Sequence, residues 1–159
     1  AQVHIAVVEI EPDTFNPKIL DYAVVDVCGR VVNHTVVKGQ VLGSTAHGIG
    51  ASMMEHLRYD EFGNLLTSTF SDYCPITILN MPNVKYANLE SPSPFTFNGA
   101  KGMGEGGGGP LHCLSAALQD AVEATGIVVD RSHFTPSDLH EAITTRRGAR
   151  AVVTRCAKS

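Results

Sequence analysis

Seven of the fifteen glycines in this chain of 159 residues lie between residues 99 and 110, immediately before a predicted helix. Glycine accepts positive φ angles and lets the backbone itself approach a ligand. Pro110 suits the first turn of a helix, and the free N–H groups at a helix N-terminus attract anions. The cluster therefore predicts a loop that lines a binding site with backbone atoms.

One carboxylate, that of Glu105, stands in the middle of this cluster. A glutamate that is screened from water has a raised pKa and can serve as a general base near neutral pH. The alternative is a flexible surface loop in which Glu105 is solvated. The residues by themselves leave both interpretations open.

Hydrophobic residues make up 43% of the chain and charged residues 18%, with a net charge of −4. These values exclude a disordered chain and a basic nucleic-acid-binding surface, and the low charge indicates surfaces that are hidden against partners. No apolar run approaches the roughly 20 residues of a membrane span, and we expect no cleavable signal. The dispersed cysteines (Cys28, Cys74, Cys113 and Cys156) favour free thiols in a cytoplasmic protein, with a disulfide framework as the alternative.

Apolar, β-branched runs predict strands at 3–10, 19–27 and 65–70, and shorter extended pieces at 76–79 and 84–89. Helical spacing predicts three helices, which start near Gly39 or Gln40, at Pro110 and after Thr135. Their expected apolar positions are, in order, Leu42, Ala46, Ile49, Met53 and Leu57, then Leu111, Leu114, Leu118, Ala121 and Val122, then Leu139 and Ile143. Gly126 is expected to end the second helix.

These elements favour an α+β fold in one domain, with mixed or antiparallel strands, two long helices and a short C-terminal helix. The expected domain spans residues 1–145, and residues 146–159 form a basic tail.

A second candidate region opens the first predicted helix, at Lys38-Gly39-Gln40 and Ala46-His47-Gly48. The amide of Gln40 can donate to and accept from a polar heterocycle beside a helix N-terminus, or it can simply face solvent. The seven histidines show no metal-binding spacing, so we expect no metal ion held by protein side chains alone.

The order of five sequence segments resembles a known family. These segments are VHIAVVEIEPDTF, AVVDVCGRVVN, VKGQVLGSTAHGIGASMMEHLRYDEFGNLLTSTFSDYCPIT, LESPSPFTFNGAKGMGEGG and HFTPSDLHEAI. Over about residues 3 to 145 the chain resembles the C-terminal molybdenum-cofactor-binding domain of the xanthine dehydrogenase, aldehyde oxidase and aerobic carbon monoxide dehydrogenase family.

The resemblance implies roles for particular residues. It makes Glu105, in the family's G-x-G-E loop, the catalytic base beside molybdenum. It makes Gln40 a contact of the cofactor region, and it puts His47 where the family usually has a cofactor-facing glutamine. It also implies that Cys28 and Gly29 border the pterin, and that a stretch of backbone lies along the cofactor: Ala100, Lys101, Gly102, Met103 and Gly104.

The resemblance also implies cofactors and partners. The cofactor is molybdenum–molybdopterin, in its simple or cytosine dinucleotide form, while FAD and [2Fe–2S] clusters belong to partner chains. Family catalytic chains are several times longer, so the remaining large-subunit portion supplies the other half of the cofactor cradle. The implied reaction is oxidative hydroxylation of an aldehyde, an N-heterocycle or a related small molecule. The alternatives are a non-catalytic interaction or scaffold domain derived from this family, and a small-anion binder that uses residues 102–110.

Overall fold

A computed structural model describes residues 1–104 and 106–145 of the chain. The predicted base Glu105 and the predicted basic tail 146–159 therefore lie outside the described residues. In the described part, three strands form one sheet: β1 (Gln2–Ile10), β2 (Pro17–Asp26) and β3 (Val84–Asn88), in the order β1-β2-β3. β1 is antiparallel to β2, and β3 is parallel to β2, so the sheet is mixed.

The strand predictions at 3–10, 19–27 and 84–89 are confirmed within one or two residues. The predicted strand at 65–70 is wrong. Only Leu65 makes a bridge there, to Tyr59, and Phe70–Tyr73 forms a short helix, α2. Its start is fixed by the hydroxyl of Thr69, which accepts from the N–H of Asp72 at 3.2 Å. The predicted extended piece at 76–79 is also wrong, since it runs into a turn.

The first long helix, α1 (His34–Met53), begins earlier than predicted. The side chain of Asn33 caps it by accepting from the N–H of Val36 at 3.2 Å. Its buried face contains Val41, Thr45, Gly48, Ile49, Gly50 and Ser52. This face shares Ile49 with the predicted stripe but is otherwise shifted by one residue, since Val41, Thr45 and Ser52 are buried more fully than their predicted neighbours. Gly48 adds to it by packing against Pro110. Leu57, the last residue of the predicted stripe, lies beyond the helix and is exposed.

The second long helix, α3 (Gly108–Val122), follows the glycine cluster as predicted. Leu114, Leu118 and Val122 are buried, whereas the predicted apolar position Ala121 is exposed. A 3₁₀ turn (Glu123–Thr125) follows, and Gly126 then ends it with φ +71°.

The last helix, α4, covers 136–145 of the described residues. The hydroxyl of Thr135 accepts from the N–H of Asp138, whose carboxylate accepts from the N–H of Thr135 in return. This reciprocal pair caps α4. Leu139 and Ile143 are buried, as predicted.

The two long helices pack together on the sheet, and the core lies between these layers. Tyr22 of β2, Ile49 of α1 and Leu114 of α3 form one buried cluster, and Leu118 packs with Leu139 and Phe134 in a second. This two-layer arrangement confirms the α+β class. Among the described residues, no helix has the length and apolar character needed to cross a membrane.

A long arm, defined here as residues 54–98, connects α1 to the glycine cluster and holds α2 and β3 as its helix and strand. Of the eighteen large apolar side chains that are exposed among the described residues, eleven belong to this arm. These are Leu57, Tyr59, Phe62, Leu65, Leu66, Phe70, Ile78, Leu79, Leu89, Phe95 and Phe97. The arm therefore contributes little of its apolar surface to the core of this chain.

Candidate functional site

A cleft of about 1290 Å³ lies between the start of the sheet, one side of α1 and the glycine cluster. Ligand pockets usually measure about 300–1,000 Å³, so the cleft has room for a large ligand. The sheet contributes Gln2, His4 and Asp26, followed by Val27 just after β2, and α1 contributes Gln40, Gly43, Ser44, His47, Gly48 and Ala51. The glycine cluster contributes Gly102, Met103, Gly104, Gly106, Gly107, Gly108 and Gly109, and Ala1 and Leu111 complete the wall.

Some of these glycines are required by the protein's own packing. A Cβ on Gly48 would lie 2.7 Å from Cγ of Pro110, because α1 and the start of α3 touch there. A Cβ on Gly109 would enter the imidazole of His4, and one on Gly106 would lie 2.7 Å from Oε1 of Gln2. Larger residues at these positions would push the walls of the cleft apart.

Other glycines in the cleft wall have no such explanation. A Cβ added to Gly102, Gly104 or Gly108 would meet no atom of the described residues within 4 Å. The missing side chains therefore leave space in front of the backbone, where a ligand can approach its N–H and C=O groups. This part of the wall has the form of a cradle for a bulky, polar ligand.

Gln40 joins the two sides of the cleft. Its Nε2 donates to the C=O of Gly104 at 3.1 Å, across 64 residues of sequence. The side chain is exposed at the rim, so the amide is available to a ligand that enters the cleft. The structure thus brings the two candidate regions of the sequence together.

His47 lies seven residues after Gln40 and therefore on the same face of α1. It is exposed and belongs to the cleft wall. Its ring lies near the glycine cluster, because a Cβ on Gly107 would stand 3.4 Å from Nδ1 of His47. Gln40, His47, Gly102, Met103 and Gly104 are thus grouped in one cleft.

The other four predicted contacts form a separate group beside the cleft. Gly29 and Ala100 make an antiparallel bridge, and the N–H of Lys101 donates to the C=O of Cys28 at 3.0 Å. Gly29 has φ +76°, and a Cβ there would lie 2.8 Å from the backbone N of Lys101. These residues anchor the start of the glycine cluster to the end of β2, while their neighbours Val27 and Gly102 reach the cleft.

The cysteine in this anchor, Cys28, is buried as a free thiol. Burial raises its pKa, and the same is true of the half-buried Cys113. A raised pKa keeps both thiols protonated and weakly nucleophilic. The described cysteines Cys28, Cys74 and Cys113 are all free, as predicted.

The predictions from sequence do not include four polar residues of the cleft, Gln2, His4, Asp26 and Ser44. The neutral imidazole of His4 donates from Nε2 to Oε1 of Gln2 at 3.1 Å and accepts at Nδ1 from the hydroxyl of Tyr22 at 2.9 Å. Burial lowers the pKa of His4. Asp26 is buried, and its carboxylate accepts from Nδ2 of Asn88 at 2.9 Å. Strand alternation puts Gln2 and His4 on one face, and that signal could have found them.

Comparison with known proteins agrees with this geometry. Residues 1–82 match the sequence model of the family described as the molybdopterin cofactor-binding domain. The chain is 37% identical over 141 residues to the nicotine 6-hydroxylase large subunit of Paenarthrobacter nicotinovorans, covering 87% of this chain and 17% of that protein. It is 34% identical over 121 residues to the carbon monoxide dehydrogenase large chain of Afipia carboxidovorans, covering 74% of this chain and 15% of that one.

A solved structure extends the agreement to the fold. Quinoline 2-oxidoreductase from Pseudomonas putida 86 superposes with a TM-score of 0.85 and 35% identity, covering 89% of this chain and 18% of that one. The chain thus spans about a sixth of the length of the relatives it matches. By sequence and by structure, the chain belongs to the molybdopterin cofactor-binding domains of the molybdenum hydroxylase family, which includes the carbon monoxide dehydrogenase and xanthine and aldehyde oxidoreductase large subunits.

Proposed function

We propose that this chain forms one wall of a molybdopterin site in a molybdenum hydroxylase and supplies its catalytic base, Glu105. The observation that carries the proposal is the cradle of Gly102, Gly104 and Gly108, whose missing side chains have no packing explanation among the described residues. A ligand pressed against the backbone explains them. The donors and acceptors around the cradle, from Gln40, His47 and peptide groups, suit the polar edges of a pterin.

Each residue has a defined task in this proposal. Gln40 and His47 hold the cofactor from the side of α1, and the backbone of Gly102, Met103 and Gly104 holds it from the other side. When bound, the cofactor supplies two-electron redox chemistry for hydroxylation of a small substrate with oxygen derived from water. The free N–H groups at the start of α3 favour negative charge in the cleft.

Glu105 stands in the sequence between Gly104 and Gly106, and both of these neighbours belong to the cleft wall. In this proposal its carboxylate accepts a proton as oxygen is transferred to the substrate. Exclusion of water by a bound cofactor and substrate would raise its pKa towards the working pH. We therefore assign Glu105 as the general base.

The proposal also covers the chemical form of the cofactor, the partner chains and the cellular compartment. The volume of the cleft exceeds that of ordinary ligand pockets, so we include the larger, cytosine dinucleotide form of the cofactor in the proposal. The remaining large-subunit polypeptide forms the opposite wall, and partner chains carry FAD and [2Fe–2S] clusters. We place this assembly in the cytoplasm, where free thiols such as Cys28 and Cys113 persist. The substrates are aldehydes, N-heterocycles or related small molecules.

The test is Glu105→Gln in the chain co-produced with the rest of its large subunit and its partner chains. Because glutamine keeps the size but cannot take the proton, we expect turnover to fall by at least about a hundredfold. Molybdenum, measured by mass spectrometry, and pterin, measured by fluorescence, should stay near wild-type levels. Glu61→Gln, which changes an exposed glutamate of the arm, is the matched control.

Two outcomes would contradict the proposal. Unchanged turnover in the Glu105→Gln enzyme would show that Glu105 is not the catalytic base. A wild-type assembly that contains neither molybdenum nor pterin would show that the cleft is not a molybdopterin site, whatever turnover is measured.

A further inference from the structure

The end of the arm, residues 91–98 (SPSPFTFN), forms a loop that carries two exposed phenylalanines. Phe95 and Phe97 have relative exposures of 96% and 110%. Phenylalanine is normally among the most buried residue types. Residues 91–98 contain no charged side chain, so the loop offers an apolar surface.

This loop is held in one shape by its own hydrogen bonds. The N–H of Ser93 donates to the C=O of Gly99 at 2.9 Å, and the N–H of Phe95 donates to Oγ of Ser93 at 3.2 Å. The hydroxyl of Thr96 donates to the C=O of Ala100 at 2.9 Å. A loop built in this way loses little conformational freedom on binding, which favours its use as a docking element.

The loop is also joined directly to the cleft. Four residues separate Phe97 from Gly102 in the cleft wall, and the bridge between Gly29 and Ala100 fixes the chain between them. An extended chain spans about 3.5 Å per residue, so Phe97 lies within about 18 Å of the cradle. A polypeptide that covers the Gly102 side of the cleft would therefore come within reach of this loop.

We infer that residues 91–98 dock into an apolar pocket of the remaining large-subunit polypeptide, which receives Phe95 and Phe97. This inference rests on the proposed function, since it takes the opposite cleft wall to be that polypeptide. The length of the relatives supports the occupant, because the chain matches only 17% of the nicotine 6-hydroxylase large subunit. The loop also leads within four residues into the cleft wall at Gly102, and this side of the cleft is where the remaining polypeptide has to close it.

The first experiment is hydroxyl-radical footprinting of Phe95 and Phe97 in the complete enzyme and in the isolated chain. Both rings should be strongly oxidised in the isolated chain and protected in the enzyme. Rings that stay reactive in the complete enzyme would overturn the inference. Rings that become protected in the isolated chain as its concentration rises would overturn it too, because a second copy would then be the occupant.

The second experiment replaces both rings, with Phe95→Ser and Phe97→Ser in one tagged chain co-produced with the rest of the large subunit. If the rings act as interface anchors, recovery of the large-subunit remainder on the tagged chain should fall at least about thirtyfold. The control is Val128→Ser, which removes a side chain that is 74% exposed beyond the other end of α3. Recovery equal to that of the wild-type chain would overturn the inference.

Two further measurements separate this inference from the proposed function. The melting temperature of the double variant alone should match that of the wild-type chain, because neither ring is buried in it. Molybdenum and pterin are measured in the wild-type complex. A complex with protected rings but no cofactor refutes the proposed function and leaves the docking surface intact, whereas bound cofactor with reactive rings refutes the docking surface only.

Discussion

His4 illustrates how one side chain serves both the packing and the polarity of the cleft. Its ring lies against the backbone of Gly109 at the start of α3, and its two nitrogens are engaged by Gln2 and Tyr22. Nε2 donates to Gln2 in either protonation state, whereas a proton on Nδ1 would force the hydroxyl of Tyr22 to turn from donor to acceptor. Protonation at His4 would therefore disturb the wall of the cleft and the contact with α3 together.

We predict that His4 makes the chain less stable in mild acid. Its pKa is lowered by burial, so the folded chain binds this proton less readily than the unfolded chain does. Stability should fall as the pH drops below 6.5, the ordinary value, towards the lower pKa of the folded state. Thermal unfolding of His4→Gln between about pH 7.5 and pH 5 should show a smaller loss of melting temperature than that of the wild-type chain. His112→Gln, which changes an exposed histidine of α3, is the control, and equal losses in all three chains would contradict the prediction.

At the scale of elements, the cleft depends on the close approach of α1 to the start of α3. Gly48 allows this approach, because Pro110 occupies the space that a side chain would need. Gly102 lies across the cleft, where a side chain would meet open space instead. The two glycines therefore serve different purposes, one in folding and one in binding.

Matched alanine substitutions should separate these purposes. Gly48→Ala should lower the free energy of unfolding by about 1–3 kcal/mol, the usual cost of overpacking, as measured by urea denaturation. Gly102→Ala should leave that free energy within about 0.5 kcal/mol, since the site is open, yet lower the pterin content of the assembled enzyme. Full pterin content in the Gly102→Ala enzyme would show that this glycine is not part of the cradle.

Much of this element structure could be predicted from the sequence. The apolar, β-branched run Val3–Ile10 and the interval from Pro110 to Gly126 both predict their elements, because strand propensity and helix start and stop signals are local. The start of α1 and the structure of the arm are harder to predict from the sequence. The sequence alone does not distinguish Asn33 from its polar neighbours as the N-cap of α1. The run Leu65–Phe70 has the composition of a strand, but the described residues provide no partner strand for it.

In the candidate site, too, local sequence features could be predicted, whereas contacts between distant segments could not. The glycine cluster and Gln40 were recognised separately, but their hydrogen bond across 64 residues depends on how α1 packs and cannot be read from spacing. Cys28 and Gly29 pair with Ala100 and Lys101 next to the cleft, and their expected place at the border of the pterin stays a prediction. Gln2 and His4 reach the cleft only because β1 is paired with β2 in this register.

At the scale of the whole molecule, the chain has apolar surface that its own core does not cover. The face of β1 opposite the helices carries Val3, Ile5 and Val7, with exposures of 62%, 60% and 51%. β1 is also one of the two edge strands of the sheet in the described part of the chain, with backbone groups open to pairing. An apolar edge of this kind promotes association between chains unless something covers it.

We predict that the isolated chain self-associates through this edge. Ile5→Lys puts a charge on the exposed face of β1 and should raise the monomer fraction measured by analytical ultracentrifugation, without a loss of melting temperature. Glu9→Lys introduces the same residue at an exposed position of the same strand and should have a much smaller effect, because no apolar side chain is removed. Equal monomer fractions in the two variants would exclude the apolar face as the cause.

The parallel pairing of β3 with β2 bears on the order of folding. β1 and β2 are joined by a short turn and can pair early, whereas β3 reaches β2 only after a crossover that includes all of α1. Contacts between residues far apart in sequence form slowly, because the intervening chain must first be closed into a loop. We therefore expect the hairpin and α1 to form before β3 pairs with β2, so that the glycine tract, which follows β3 along the chain, completes the ligand-facing surface after both.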